Sequence, residues 1–260
     1  MNKFSFLLII LITSFCFAQN NIDKGVVFYS QIESPLLGKK RGPEVLSCLV
    51  FNKTESSYVT KKDSLVSLMK TESKQIYEND DNSSIYINNG DPTYKFGFQV
   101  YTDLKRDSVW SSSRWKVFAY VKEKKVNINW KLISERKKIG DFECYKAIGL
   151  LRGREYTAWY TNEIPIPFGP WKLQGLPGLI IEAYDKNENF YFCMKKIEYP
   201  SQNPSPISKV ILEKGKKWLN MKEYFEWCDE NLLSAYEKGI LLGIKMIKNT
   251  KQEIFKEFTE

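Results

Sequence analysis

The charged residues best placed to do chemistry gather in one part of the chain: Lys146, Arg154, Glu155, Glu163 and Glu182. Two carboxylates held about 5–9 Å apart in a cleft would suit general acid–base hydrolysis, and Glu163 with Glu182 is the pair to test. The plainer reading is a set of surface ion pairs, with Arg154 meeting Glu155 or Glu163. Histidine is absent from all 260 residues. That excludes Ser-His-Asp and Cys-His nucleophile systems, and His-ligated metal centres with them. No HExxH, GxSxG, P-loop or dinucleotide-binding glycine pattern stands in the right context. The sequence therefore assigns no catalytic residue, no metal site and no cofactor.

A second set of residues suits binding rather than catalysis. Tyr156, Trp159, Tyr160, Phe168 and Trp171 stand close together with Pro165, Leu176 and Pro177. On one face of a curved sheet they would line an apolar cavity. In a proline-stiffened loop, exposed Trp and Phe would instead offer a protein partner a hot spot that orders little on binding. The ordinary alternative is that these rings fill the protein's own core, as aromatics at strand spacing usually do.

The prolines sit in the motif that says most about relatives. Residues 171–180 read Trp-Lys-Leu-Gln-Gly-Leu-Pro-Gly-Leu-Ile, and a core block leads up to them from Gly140. That block contains Gly-Asp-Phe-Glu-Cys-Tyr-Lys-Ala at 140–147, Arg-Glu-Tyr-Thr-Ala-Trp-Tyr-Thr at 154–161, Glu163-Ile164-Pro165 and Gly169-Pro170. In these residues the chain resembles the GLPGLI family, also labelled Porph_ging. The resemblance spans about 45 residues in the family's order. It implies kinship and no established activity. Pro177-Gly178 would set a turn before an apolar strand, with Gly178 free to take a backbone angle or a close approach that side chains forbid.

Compartment follows from the start of the chain. Lys3 precedes an apolar run over 4–15, and Cys16-Phe17-Ala18 offers a cleavage site before Gln19, so residues 1–18 read as an export signal. The run is shorter than the roughly 20 residues of a membrane span, so no transmembrane segment is expected after cleavage. Cys48, Cys144, Cys193 and Cys228 then remain, open to disulfide formation in three connectivities. The formal net charge of +8 is spread over many short Lys/Arg groups, read as solvated strand ends and turns. An anionic lipid surface is the alternative, and nucleic acid is not an expected partner of an exported protein.

The elements that must position these residues are mostly strands. Strands are expected at 25–29, 46–51, 57–60, 84–87, 94–102, 108–111, 116–120 and 126–132, with a hairpin turn at 52–55 and a polar loop at 79–84. Residues 64–69 fit a strand or a short helix. Two hairpins frame the core block: 143–150 with 155–161 across Arg152-Gly153, and 179–184 with 190–197 across 185–189. Tyr156, Ala158 and Tyr160 should lie on the face opposite Thr157 and Trp159. Residues 164–171 hold too many prolines for a central strand. Beyond Pro200 come a short strand at 208–212 and a helix from Asn220 to Lys238, with Asn220 and Glu223 as its capping box.

The expected fold is mainly β (α+β): a large curved antiparallel sheet, with a half-open barrel as its closed-up form, and a C-terminal helix. Residues 1–18 are the signal, 19–199 the β domain with the core block at 140–180, and 200–260 a linker, strand and helical element of the same domain. The expected role is a non-catalytic binding or accessory protein of the periplasm or outer envelope. Its partner would be an outer-envelope protein or a lipid-like ligand. A carrier of an apolar ligand in a half-barrel cavity and a carboxylate-dependent hydrolase are the alternatives.

Overall fold

Short runs of β-branched and aromatic residues between turn formers become strands along the whole described chain. The computed structural model describes residues 24–33, 44–66, 75–78, 85–88, 93–114, 117–202 and 206–230. The export segment 1–18, the loop 79–84 and residues 231–260 lie outside them.

The strands are β1 (Gly25–Glu33), β2 (Glu44–Phe51), β3 (Glu55–Thr60), β4 (Gln75–Glu78), β5 (Ile85–Asn88), β6 (Phe98–Asp103) and β7 (Ser108–Arg114). They continue as β8 (Phe118–Lys124), β9 (Lys131–Ile139), β10 (Phe142–Leu151), β11 (Arg154–Thr161), β12 (Leu179–Asp185), β13 (Phe190–Glu198) and β14 (Trp218–Leu219). Twelve of them form one open sheet in the order β14-β8-β7-β6-β3-β2-β1-β13-β12-β11-β10-β9, while β4 and β5 pair separately. Every pairing in the large sheet is antiparallel except β14 with β8, so the sheet is mixed.

The turns show why the chain reverses where it does. The Asn52 side chain accepts hydrogen bonds from the backbone N–H of Thr54 and Glu55, both at 2.8 Å, closing the β2–β3 hairpin. Arg152 and Gly153 take φ of 48° and 76°, the left-handed pair that a two-residue hairpin loop requires. After β14, Asn220 Oδ1 accepts from Glu223 N–H at 3.0 Å and Glu223 Oε2 accepts from Asn220 N–H at 2.8 Å. That reciprocal box starts the helix that occupies 221–230.

The sheet is curled. Glu123 on β8 and Arg152 in the β10–β11 turn belong near opposite ends of the strand order, yet they form an ion pair with both side chains buried. A flat sheet would hold them on the order of 40 Å apart at the usual strand spacing. Register shifts at Phe28/Tyr29, Tyr145/Lys146 and Trp159/Tyr160 add the local twist that such curvature needs.

Four apolar clusters fill the described residues, and β11 feeds the two largest. Tyr156, Ala158 and Tyr160 join Ala147, Ile180, Ala183, Phe192, Leu173 and Leu176. Trp159 joins the other cluster with Val27, Tyr29, Leu49, Phe51, Tyr58, Ile164 and Phe168. The period-two reading of this strand therefore holds.

Three expected strands came out differently. Residues 125–130 are not strand: Val126, Ile128 and Trp130 pack on the second cluster, and Trp130 Nε1 donates to the Gln174 carbonyl at 2.8 Å. Tertiary packing overrides local propensity there. Strand β9 follows instead, with most of its residues exposed at the sheet edge. The expected strand at 208–212 lies over β6 and β8 without a ladder, burying Val210 against Tyr101 and Tyr120. The expected strand at 94–102 breaks at Gly97.

Candidate functional site

The connection 162–178 runs through the middle of the fold, so its backbone groups need partners. It finds several of them within itself and on β12. Ile164 O accepts from Ile166 N–H at 2.8 Å and from Leu179 N–H at 2.9 Å; Phe168 O accepts from Ile180 N–H at 3.0 Å; Pro167 O accepts from Gly175 N–H at 3.0 Å. A Cβ on Gly178 would stand 1.9 Å from the Thr161 carbonyl oxygen. Only glycine permits that approach of two backbones.

The eight residues expected to bind divide by exposure. Tyr156, Trp159, Tyr160, Phe168 and Leu176 are buried in the two clusters. Trp171 is half-buried and touches both clusters, with φ of 55° and its ring 6.4 Å from that of Tyr156. Pro165 and Pro177 are exposed.

The charged residues of the block have separate partners. Glu182 accepts from Lys137 Nζ at 2.6 Å and from the Tyr191 hydroxyl at 3.1 Å. Lys137 also sits 4.3 Å from the centre of the Trp159 ring, a cation–π contact. Glu163 accepts from the Glu143 backbone N–H at 3.0 Å, and Lys146 pairs with Glu135 at 2.9 Å. Arg154 pairs with buried Asp185 at 2.6 Å, and Asp185 also accepts from Phe190 N–H at 2.7 Å. Glu155 meets Lys186 at 3.7 Å on the surface.

Burial, and then the Glu182 charge, push the Tyr191 hydroxyl far above its ordinary range. Burial likewise pushes the Cys144 thiol up to about 12, with Lys137 opposing. The four cysteines Cys48, Cys144, Cys193 and Cys228 are free thiols. Cys48 lies across from Phe28 and Cys193 across from Ser30, so β1 separates those two.

A different part of the sheet leaves space. A cleft of about 410 Å³ opens beside β6–β8, between the 93–97 segment and residues 211–213. Phe118 and Tyr120 are two residues apart on β8 and share a face, with ring centres 6.2 Å apart and planes within 28°. Tyr94 meets Phe118 edge-on at 5.3 Å. Around these rings stand Asp63, Lys95, Gln99, Ser112 and Glu213.

The 93–97 wall is fixed by its backbone. Tyr94 bridges to Lys62, Tyr94 O accepts from Asp63 N–H at 3.1 Å, and Gly97 takes φ of 65°. A Cβ on Gly97 would lie 2.4 Å from Thr60 O, so the wall can press against β3 only with glycine there. The opposite wall is tied by Ile211 N–H donating to Gln99 Oε1 at 3.1 Å. Burial, followed by the nearby Glu213, raises the Tyr120 hydroxyl above its usual range. Sequence reasoning missed this cleft because it ran 94–102 together as one strand. Gly97 inside an apolar-alternating run was the available signal.

These features define a mainly β protein built on one curled sheet, with a buried hairpin block and an open cleft elsewhere. The family described as "Protein of unknown function (Porph_ging)" matches residues 151–182, which is the hairpin block and not the cleft. No curated protein matches the chain. Among solved structures, the chain is similar to PNGF-II in the P21 space group, with 12% identity and a TM-score of 0.49 over 78% of this chain. The C2 form gives 13% identity and a TM-score of 0.48 over 80% of this chain. The chain spans about a third of the length of those structures, 32% and 33%.

Proposed function

We propose that this is an exported, non-catalytic binding protein of the periplasm or outer envelope, and that it takes a small ligand in the cleft between 93–97, β8 and 211–213. The export part of this reading rests on the apolar run with Lys3 at the N-terminus. The wider resemblance over 140–180 supports placing the chain among GLPGLI proteins. The single observation that carries the binding site is the cleft itself. Its volume of about 410 Å³ falls in the usual range for small-molecule sites, and it has an apolar floor with a few convergent polar groups.

The test is native mass spectrometry of the protein recovered from its own envelope, set against the denatured sample. A non-covalent adduct in the small-molecule range is expected, and Phe118→Leu should remove it while the circular dichroism spectrum stays unchanged. An adduct that survives Phe118→Leu would place the ligand elsewhere and sink the cleft assignment.

A second reading is an accessory protein that docks an envelope partner on Pro165, Trp171 and Pro177. The observation favouring it is that Trp171 stays half-exposed on a backbone held by its neighbours. A cross-linker at position 171 should then capture one protein partner. Trp171→Ser should lose that partner without unfolding the chain.

A further inference from the structure

The cleft's floor and rim differ in kind, and that difference narrows the ligand. The floor is the half-buried Phe118 ring, with Tyr120 stacked beside it but buried against Tyr101 and Val210, and with Tyr94 as a side wall. An aromatic face carries negative charge density, so it favours the slightly positive C–H groups of a flat ligand lying on it. The rim is polar on several sides: Asp63 and Glu213 accept, Lys95 donates, and Gln99 and Ser112, whose oxygens already accept from Ile211 N–H and Gln99 N–H, add donors.

A purely apolar chain in this space would strip water from those rim groups and return nothing. Each such loss costs on the order of 1–3 kcal/mol. Charge argues further. Asp63 and Glu213 stand against Lys95 and the Arg114 guanidinium, which lies 4.4 Å from the Tyr94 ring centre and 5.5 Å from that of Phe118. Two carboxylates and one lysine line the cleft, with Arg114 behind its rings, which gives an anion such as a phosphate no advantage.

We propose that the cleft binds a neutral saccharide, one pyranose face lying on Phe118 with its hydroxyls turned to the polar rim. A sugar is the ligand class with an apolar C–H face and groups around its edge that both donate and accept. This deepens the proposed function and rests on the cleft being the binding site. Asp63 and Glu213 accept from neighbouring hydroxyls, and Gln99 is shared between the ligand and the 211–213 wall. No bond is made or broken.

The test is saturation-transfer NMR on the full mature chain. The panel holds neutral mono-, di- and tetrasaccharides of glucose, galactose, mannose and N-acetylglucosamine, with palmitate and adenosine as controls. At least one saccharide should bind, with signal strongest on its ring C–H protons. Phe118→Leu should weaken that binding about tenfold, while thermal unfolding shows the variant folded. Failure of every saccharide overturns the proposal. If palmitate or adenosine binds instead, and Phe118→Leu abolishes it, the ligand class is wrong and the cleft remains the site. If a saccharide binds unaffected by Phe118→Leu, both the proposal and the cleft assignment fall.

Discussion

The hairpin block at 151–182 and the cleft beside β8 are both rich in aromatics and charge, yet they use them in opposite ways. In the block the rings point into the two clusters, and its charges are paired with neighbouring strands: Arg154 with Asp185, Glu182 with Lys137 on β9. In the cleft the half-buried Phe118 ring lines open volume, and polar groups stand around it. The segment that matches the family is thus the one with least left over to bind a ligand. Gly178 there meets the Thr161 backbone and the rings pack into the core, which gives the block an architectural part. If that division is right, substitutions should separate stability from binding according to region.

The largest effect is expected at Gly178. Any side chain there meets the Thr161 carbonyl, a backbone atom that cannot swing aside. Gly178→Ala should cost about 3–5 kcal/mol, a large share of a domain's total stability. Urea unfolding measures it. A near-neutral result would show that the signature glycine is there for something other than packing.

Next comes the clasp that records the curl of the sheet. Glu123 is held by Arg152 and by Lys172 at 2.8 Å, all three nearly inaccessible to water. Arg152→Met leaves the carboxylate short of a partner and should destabilise by about 3 kcal/mol. Adding Glu123→Gln should recover a good part of that loss, because the uncompensated charge is gone. No recovery in the double variant would mean that Arg152 matters for packing rather than for charge.

The two regions also differ in how readily the sequence disclosed them. The block was legible because its turns carry strong local signals, Arg152-Gly153 and the polar run 185–189, and its strands alternate cleanly. The capping box at Asn220 was legible for the same local reason. Strand β9 was not, because an edge strand with exposed Lys131, Glu135, Arg136 and Lys138 has no buried face to impose a pattern. Residues 126–130 misled for the converse reason: their apolar residues serve the second cluster from a non-strand backbone. The cleft assembles Asp63, Tyr94, Phe118 and Glu213 from four separate stretches of chain. That juxtaposition is long-range, so no local pattern announces it.

A pH effect probes the block again, more gently. Cys144 has an ordinary thiol value of 9.0 when unfolded and is raised to about 12 in the fold by burial. Below pH about 9 both states keep the proton and this thiol adds no pH dependence. Between about 9 and 12 the unfolded chain releases its proton while the native chain holds it, so stability falls as pH rises. Cys144→Ala should flatten that part of the curve, whatever it costs in packing. An unchanged slope would mean the thiol is reached by water more easily than its burial suggests.

The smallest effect on stability is expected in the cleft, and it discriminates most sharply. Asp63 is exposed and opens a four-residue helix too short for its charge to matter much there. Asp63→Asn should therefore leave the unfolding midpoint within about 0.5 kcal/mol of the parent. The same change removes a charged acceptor from the rim, where one hydrogen bond to a ligand is worth about 1 kcal/mol. Saccharide affinity should then fall about fivefold, with the fold untouched. Isothermal titration beside thermal unfolding gives both numbers from one preparation. A loss of stability without a loss of affinity would reverse the division of labour between block and cleft, because it would make the open region the structural one.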